Sequence, residues 1–207
     1  TAAGAASADL SYSPSASVRQ AVNARMADLF AGAAGTDRAA VLQLLESGMM
    51  HAAFAEMLAE YGYSDRDLGD VLTAFVLVSW QAANNDAAAV YPGHPGAEAV
   101  RGNLRGLLAG SGELRALGDA DRQQLAETFA LLTTALAAAW ANADQSGDAA
   151  EMAQVQAGAG AIGWMFGLAL PDAAFRNAAP LRFTFRDGVW RVVDVLAETT
   201  IAGRDAA

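Results

Sequence analysis

The sequence predicts a mainly α-helical fold: a bundle of six to seven helices, with a small C-terminal antiparallel β-hairpin. Three observations predict it. Apolar residues recur at helical spacing through most of the chain. The stretch 71–80, Val-Leu-Thr-Ala-Phe-Val-Leu-Val-Ser-Trp, is apolar nearly all round, the pattern of a helix buried on several sides at the centre of a bundle. Beyond residue 180 the period changes to two: Leu181-Arg-Phe-Thr-Phe185 alternates, Asp187-Gly188 suits a two-residue type I′ turn, and Val189-Trp-Arg-Val-Val-Asp-Val195 returns.

The elements follow in order. Residues 1–16 are small and polar, without periodicity, and read as an extended arm. Ser17 stands where it can cap a first helix whose face carries Val18, Val22, Met26, Leu29 and Phe30. Gly32 to Gly35 breaks that helix. Thr36 or Asp37 caps a short second one with Val41, Leu42, Leu44 and Leu45. Ser47-Gly48 ends it, and Met50, Phe54, Met57, Leu58 and Tyr61 stripe a third, closed by Gly62. Ser64 opens the central helix, with Asp65 and Asp67 in its first turn, where the helix dipole favours anions.

After Asn84-Asn85-Asp86 and the Pro92-Gly-His-Pro-Gly96 loop, Val100, Leu104, Leu107 and Leu108 mark a shorter helix. Asp119 caps a long one striped by Leu125, Phe129, Leu132, Leu136 and Trp140. A loop at 142–148 leads to the last, with Met152, Val155, Ala159, Ile162 and Phe166, ended by Pro171. Gly158, Gly160, Gly163 and Gly167 stud that helix. Each costs about 1 kcal/mol in a helix interior, which predicts a closely approaching neighbour. The organisation is an arm over 1–16, a helical domain over 17–170, and hairpin plus tail over 171–207.

Composition narrows the function. The 207 residues carry 13 basic and 23 acidic groups, a formal charge of -10. That balance argues against nucleic acid or an anionic membrane as partner. There is no cysteine, hence no disulfide, thiolate metal site or cysteine nucleophile. There is no lysine either; every basic side chain is arginine. The longest apolar stretches, 129–141 and 157–170, fall short of the roughly 20 residues that span a bilayer. Thr1-Ala-Ala-Gly-Ala-Ala-Ser-Ala has the small residues found around a signal-peptidase cut, so the chain is expected to be exported, its signal removed.

Several stretches resemble a bacterial family catalogued as a domain of unknown function (number 6683). They are Tyr12-Ser-Pro-Ser with Val18-Arg19; Tyr61-Gly-Tyr-Ser-Asp65-Arg-Asp67-Leu-Gly-Asp70; Ser79-Trp80-Gln81-Ala-Ala-Asn84; and Asp119-Ala-Asp-Arg-Gln123-Gln-Leu-Ala-Glu127. The resemblance implies a secreted or envelope helical domain and brings no catalytic residue with it. The hairpin at 181–195 looks like a departure from the family's usual C-terminus.

Constellations that carry chemistry are thin. Asp65, Asp67 and Asp70 suit a capped acidic helix start better than a metal site; Asp70, on the inner turn, is the one placed to reach Arg101 or Arg105. Asn142-Ala-Asp144-Gln-Ser146-Gly147-Asp148 has the spacing of an EF-hand loop start, but Ala153 stands where the bidentate glutamate belongs. An Asp148-x-x-Glu151 capping box explains the same residues. His51 and His94 are too far apart in sequence to make a metal or triad case. Gly158-x-Gly160-x-x-Gly163 lies inside a helical pattern, unlike a dinucleotide fingerprint. Trp80, Trp140 and Trp164 read as core. Asp70 or Glu127 could serve as an acid or base, yet nothing assembles a nucleophile and oxyanion donors around either.

The sequence therefore points to a non-catalytic, exported structural protein that forms an oligomer or surface filament, without cofactor or metal. Its expected bonding residues are Leu10 and Tyr12 in the arm and Arg182, Phe183, Phe185, Arg186, Trp190 and Arg191 in the hairpin. An exposed hairpin edge is open to strand addition. Arginines at 176, 182, 186 and 191 suit an acidic neighbour such as another copy. The alternative is a monomeric helical binding protein for an apolar ligand or a partner protein.

Overall fold

The structure, a computed structural model, describes residues 9–86, 92–165, 181–186 and 189–194. The fold is mainly helical. Among the described residues, α1 (Ala16–Ala34), α2 (Arg38–Glu46), α3 (Met49–Glu60), α4 (Leu68–Asn84), α5 (Pro95–Gly110), the single turn α6 (Gly112–Arg115), α7 (Asp119–Ser146) and α8 (Ala149–Met165) follow in order. Extended backbone is confined to an isolated bridge between Ser11 and Asp67 and to β1 (Leu181–Arg186) and β2 (Val189–Asp194), which pair antiparallel with Phe183 opposite Val192 and Phe185 opposite Trp190. The Asp187-Gly188 turn and the faces presented by these strands lie outside the described residues.

Contacts divide the chain into two compact units, Thr1–Leu72 with Leu104–Thr134, and Thr73–Asn103 with Ala135–Ala207. In the first, α1 and α2 pack around Val22, Met26, Ala27 and Leu45, joined by Leu131 of α7. Gly48 makes the sharp entry to α3 possible: its φ of 76° is a left-handed conformation that glycine adopts without steric cost. Three sequence expectations need correction here. Leu29 and Leu44 are roughly half exposed, while Asn23 and Ala27 are buried. The stripe on α1 runs through 22, 23, 26, 27 and 31, one step round the helix from Leu29. The N-cap of the first helix is Ser15 rather than Ser17, and Ser15 makes no side-chain cap.

In the second unit, the apolar stretch of α4 behaves as its composition demands: Phe75, Val76, Leu77 and Trp80 are all buried. His94 is buried and caps α5. Its Nδ1 accepts from the Gly96 N–H at 3.0 Å and its carbonyl accepts from Ala97 and Glu98. Pro95 then takes the first helical position, where a missing N–H costs nothing. The Trp140 indole N–H donates to the Asn85 side chain at 2.9 Å.

The close approach expected along α8 is not seen at Gly158, where a Cβ would meet nothing within 4 Å. The tight glycine is Gly69, at the start of α4. A Cβ there would lie 3.0 Å from Leu10 Cδ1, 3.1 Å from Arg105 Cγ and 3.1 Å from Asp67 Oδ1.

Candidate functional site

The first unit gathers its polar side chains along one short segment, Asp9 to Ser15, that lies ahead of α1. Its backbone pairs with the turn before α4: Tyr12 N–H donates to Arg66 O at 3.1 Å, and Leu68 N–H to Leu10 O at 3.0 Å. The Tyr12 hydroxyl donates to Asp65 O at 2.7 Å. From α7, Asp119 accepts from Ser13 N–H at 3.1 Å and Arg122 donates to Ser11 O at 3.1 Å. Gln123 grips Ser15 with both ends of its amide. Its oxygen accepts from Ser15 N–H at 2.7 Å, and its NH2 donates to Ser15 O at 2.8 Å.

One turn further along α7, Glu127 is 2% exposed. Its Oε1 accepts from Arg19 Nε at 3.0 Å and Gln123 Nε2 at 2.9 Å, and pairs ionically with Arg19 Nη2 at 2.9 Å. Its Oε2 is equally buried and has no hydrogen-bond partner. Beside it lies a cavity of about 10 Å³ lined by Tyr12, Arg19, His51, Phe54, Asp65, Ala126, Glu127 and Ala130. That volume has room for about one water-sized group. The His51 ring faces the Asn23 side-chain oxygen across 3.3 Å, and the Asn23 amide nitrogen donates to Leu45 O.

Burial and the neighbouring Arg19 guanidinium push the His51 pKa below its ordinary 6.5, with Glu127 and Asp65 opposing. Burial, aided by the charges of Glu127 and Asp65, pushes the Tyr12 hydroxyl well above the usual phenol range. For His51 the unfolded chain holds the proton more tightly than the folded one. Stability contributed by the neutral ring is therefore present above 6.5 and falls as pH drops through that value, levelling off below the folded pKa. We predict that the urea midpoint declines between mildly alkaline and mildly acidic pH, and that His51→Gln flattens this decline. An unchanged slope in the variant would refute the assignment.

A second acidic group braces the start of α4. Asp70, 2% exposed, accepts from Arg105 Nη2 at 2.9 Å and from Ser64 N–H at 3.0 Å, and Asp67 also pairs with Arg105 at 2.7 Å. Arg105 is thus the partner that Asp70 reaches, and both carboxylate oxygens of Asp70 are committed to holding the helix start.

The 142–148 loop is corrected to helix. α7 runs to Ser146, so Asn142 and Asp144 lie within it, where they cannot present loop oxygens to one ion. Asp148 instead caps α8, its carboxylate accepting from the Ala150 and Glu151 N–H groups at 2.8 and 3.3 Å. Glu151 turns to the Ser146 hydroxyl at 2.9 Å rather than completing the capping box. Among the described residues no three His, Cys, Asp or Glu side chains cluster as a metal site. Millimolar calcium is expected to leave the thermal midpoint where EDTA leaves it.

The residues expected to bond neighbouring copies are placed unevenly. Leu10 and Tyr12 are a correction: at 1% and 8% exposure they are spent inside their own chain, because the segment folds back onto α4 and α7. Arg182, Phe183, Phe185, Arg186, Trp190 and Arg191 are placed by backbone register alone, and their side chains lie outside the described residues. Sequence reasoning missed Arg19, His51 and Gln123 as a group. The signal was present in part: Gln123 and Glu127 are polar residues at i, i+4 on a helix face shared with Ala126 and Ala130.

A family model described as a family of unknown function (DUF6683) matches residues 1–170. The chain belongs to this family. No curated protein and no solved structure matches it. Three of the stretches that carry the family resemblance converge here: Tyr12 with Arg19, the run from Asp65 to Asp70, and Gln123 with Glu127. The hairpin strands lie beyond the family match. Among the described residues no helix is long and apolar enough to cross a membrane.

Proposed function

We propose that the protein is a non-catalytic, exported structural subunit that assembles with copies of itself. The observation that carries the non-catalytic part is how the polar groups of α7 are used. Gln123, Asp119 and Arg122 fasten the segment before α1, and Glu127 holds Arg19 in the first turn of α1, an arrangement that holds a chain in place. Among the described residues no hydroxyl or imidazole hydrogen-bonds to Glu127, as a nucleophile–base pair would require.

With Leu10 and Tyr12 committed internally, the bonding role falls to the C-terminal hairpin at 181–194. A two-stranded hairpin is marginal in water by itself and has two edges to cover. Arg182, Arg186 and Arg191 supply planar forks suited to carboxylates on a chain with a net charge of -10. Light scattering on the full-length protein, with negative-stain imaging, tests the reading. The expected result is a salt-sensitive assembly that the triple change of Arg182, Arg186 and Arg191 to Glu dissolves. A 21.3 kDa monomer at every concentration and ionic strength would overturn it. Export is tested by fractionating the native cells.

The alternative, a monomeric binding protein for an apolar ligand or a partner protein, draws no support from the cavity beside Glu127, which is far too small for an apolar ligand.

A further inference from the structure

We infer that the cavity beside Glu127 is a recognition site for a protonated primary amine. The inference is independent of self-assembly. It starts from the hydrogen-bond inventory. Every protein donor that reaches Glu127 goes to Oε1, which accepts two hydrogen bonds and also pairs with Arg19 Nη2, while Oε2 is buried with none. A buried carboxylate oxygen left without a donor is costly, so the site is complete only with a donor from outside the chain.

The other groups lining the cavity offer acceptors. The Tyr12 proton is used on Asp65 O, which leaves the phenolic oxygen's lone pairs. The Asn23 amide nitrogen donates to Leu45 O, which turns its oxygen to His51 Nε2 and assigns the ring proton to that nitrogen. The opposite nitrogen of the neutral ring is then an acceptor.

Charge points the same way. Two carboxylates, Glu127 and Asp65, and one guanidinium, Arg19, line the cavity, so the walls carry a net negative charge. His51 and Tyr12 are both held neutral by burial. A guest with a single positive charge balances them. Size selects its form. A cavity of about 10 Å³ takes the centre of one water-sized group. An –NH3+ head has that size and three donors. A guanidinium or a quaternary ammonium does not fit. The Phe54 ring, Ala126 and Ala130 provide an apolar wall for the carbon that bears the amine. The chain has no lysine, so no side-chain amine of its own competes.

Calorimetry and thermal unfolding of the full-length protein test this, at mildly alkaline pH where His51 is neutral. Methylammonium chloride is compared with sodium chloride and tetramethylammonium chloride at equal ionic strength. Methylammonium is expected to raise the thermal midpoint saturably, and the other two salts are not. Asp65→Asn is expected to weaken the affinity by about tenfold, the order of effect of removing one nearby carboxylate from an ammonium at intermediate dielectric. Glu127→Gln is expected to abolish the response; should it fail to fold, Asp65→Asn carries the test. A matching arm uses Nα-acetyl-lysine amide. A response there as well as to methylammonium means that the site reads an amine on a longer chain; a response to methylammonium alone means a free small amine. The inference is overturned if all three salts act alike, if none acts, or if Asp65→Asn responds as the parent does.

Discussion

Leu10→Ala lowers the stability of the chain by about 2–5 kcal/mol, the usual cost of truncating a buried leucine and leaving its cavity. Leu10 is 1% exposed, touches the Gly69 position, and belongs to a segment whose backbone also accepts from Leu68 N–H. The loss is measured as a shift in urea midpoint at unchanged slope, on dilute protein. The experiment separates two roles for this segment. If Leu10 served a neighbouring copy, the variant would lose assembly and keep its monomer stability. Because Leu10 is buried in its own chain, the monomer itself is expected to weaken. A change under about 0.5 kcal/mol, the range of surface substitutions, would place the segment outside the fold.

Gln123→Ala is expected to cost about 2–4 kcal/mol. It removes both bonds to Ser15 and one of the two hydrogen bonds to Glu127, and each buried group left unpaired costs about 1–3 kcal/mol. Gln20→Ala, an exposed glutamine on α1, is the control and should fall within about 0.5 kcal/mol of the parent. The same Gln123 variant should speed proteolysis in the segment before α1, since its local opening no longer breaks the amide clamp. Equal midpoints for the two variants would show that Gln123 holds nothing.

The reach of the sequence can be seen element by element. The helical stripe at 71–80 needed no tertiary information: a run with no polar face has nowhere to go but inward. Asp37 capping α2 and the Ser47-Gly48 break were likewise local, since each depends on a side chain or a φ angle within a few residues. At 142–148 the cap at Asp148 was legible but residues 142–146 were read as loop, because polar residues near a glycine look the same at a helix end and in a loop. The choice depends on how far α7 continues before Gly147. Leu29 was misplaced because five apolar residues allow more than one stripe, and only the partner helix selects among them.

The candidate site was the least legible part. Glu127 stood out as a candidate acid or base, and Asp70 as the residue placed to reach Arg101 or Arg105. Nothing local to Arg19, His51 or Gln123 announced that they share a neighbourhood. Their bonds join residues about a hundred positions apart, and an exposed-looking polar residue at one end of the chain carries no mark of its partner at the other.

By itself the sequence determined the mainly helical class, the family, and the absence of cysteine and lysine, which removes thiols and side-chain amines from its chemistry. Periodicity, caps and composition are local properties and survive without the fold. Only the tertiary structure decided that the segment from Asp9 to Ser15 turns inward, and that Glu127 keeps one oxygen paired with Arg19 and the other unpartnered beside a small cavity. Those outcomes follow from which helix faces meet, because burial and hydrogen-bond satisfaction belong to pairs of elements and not to either one alone.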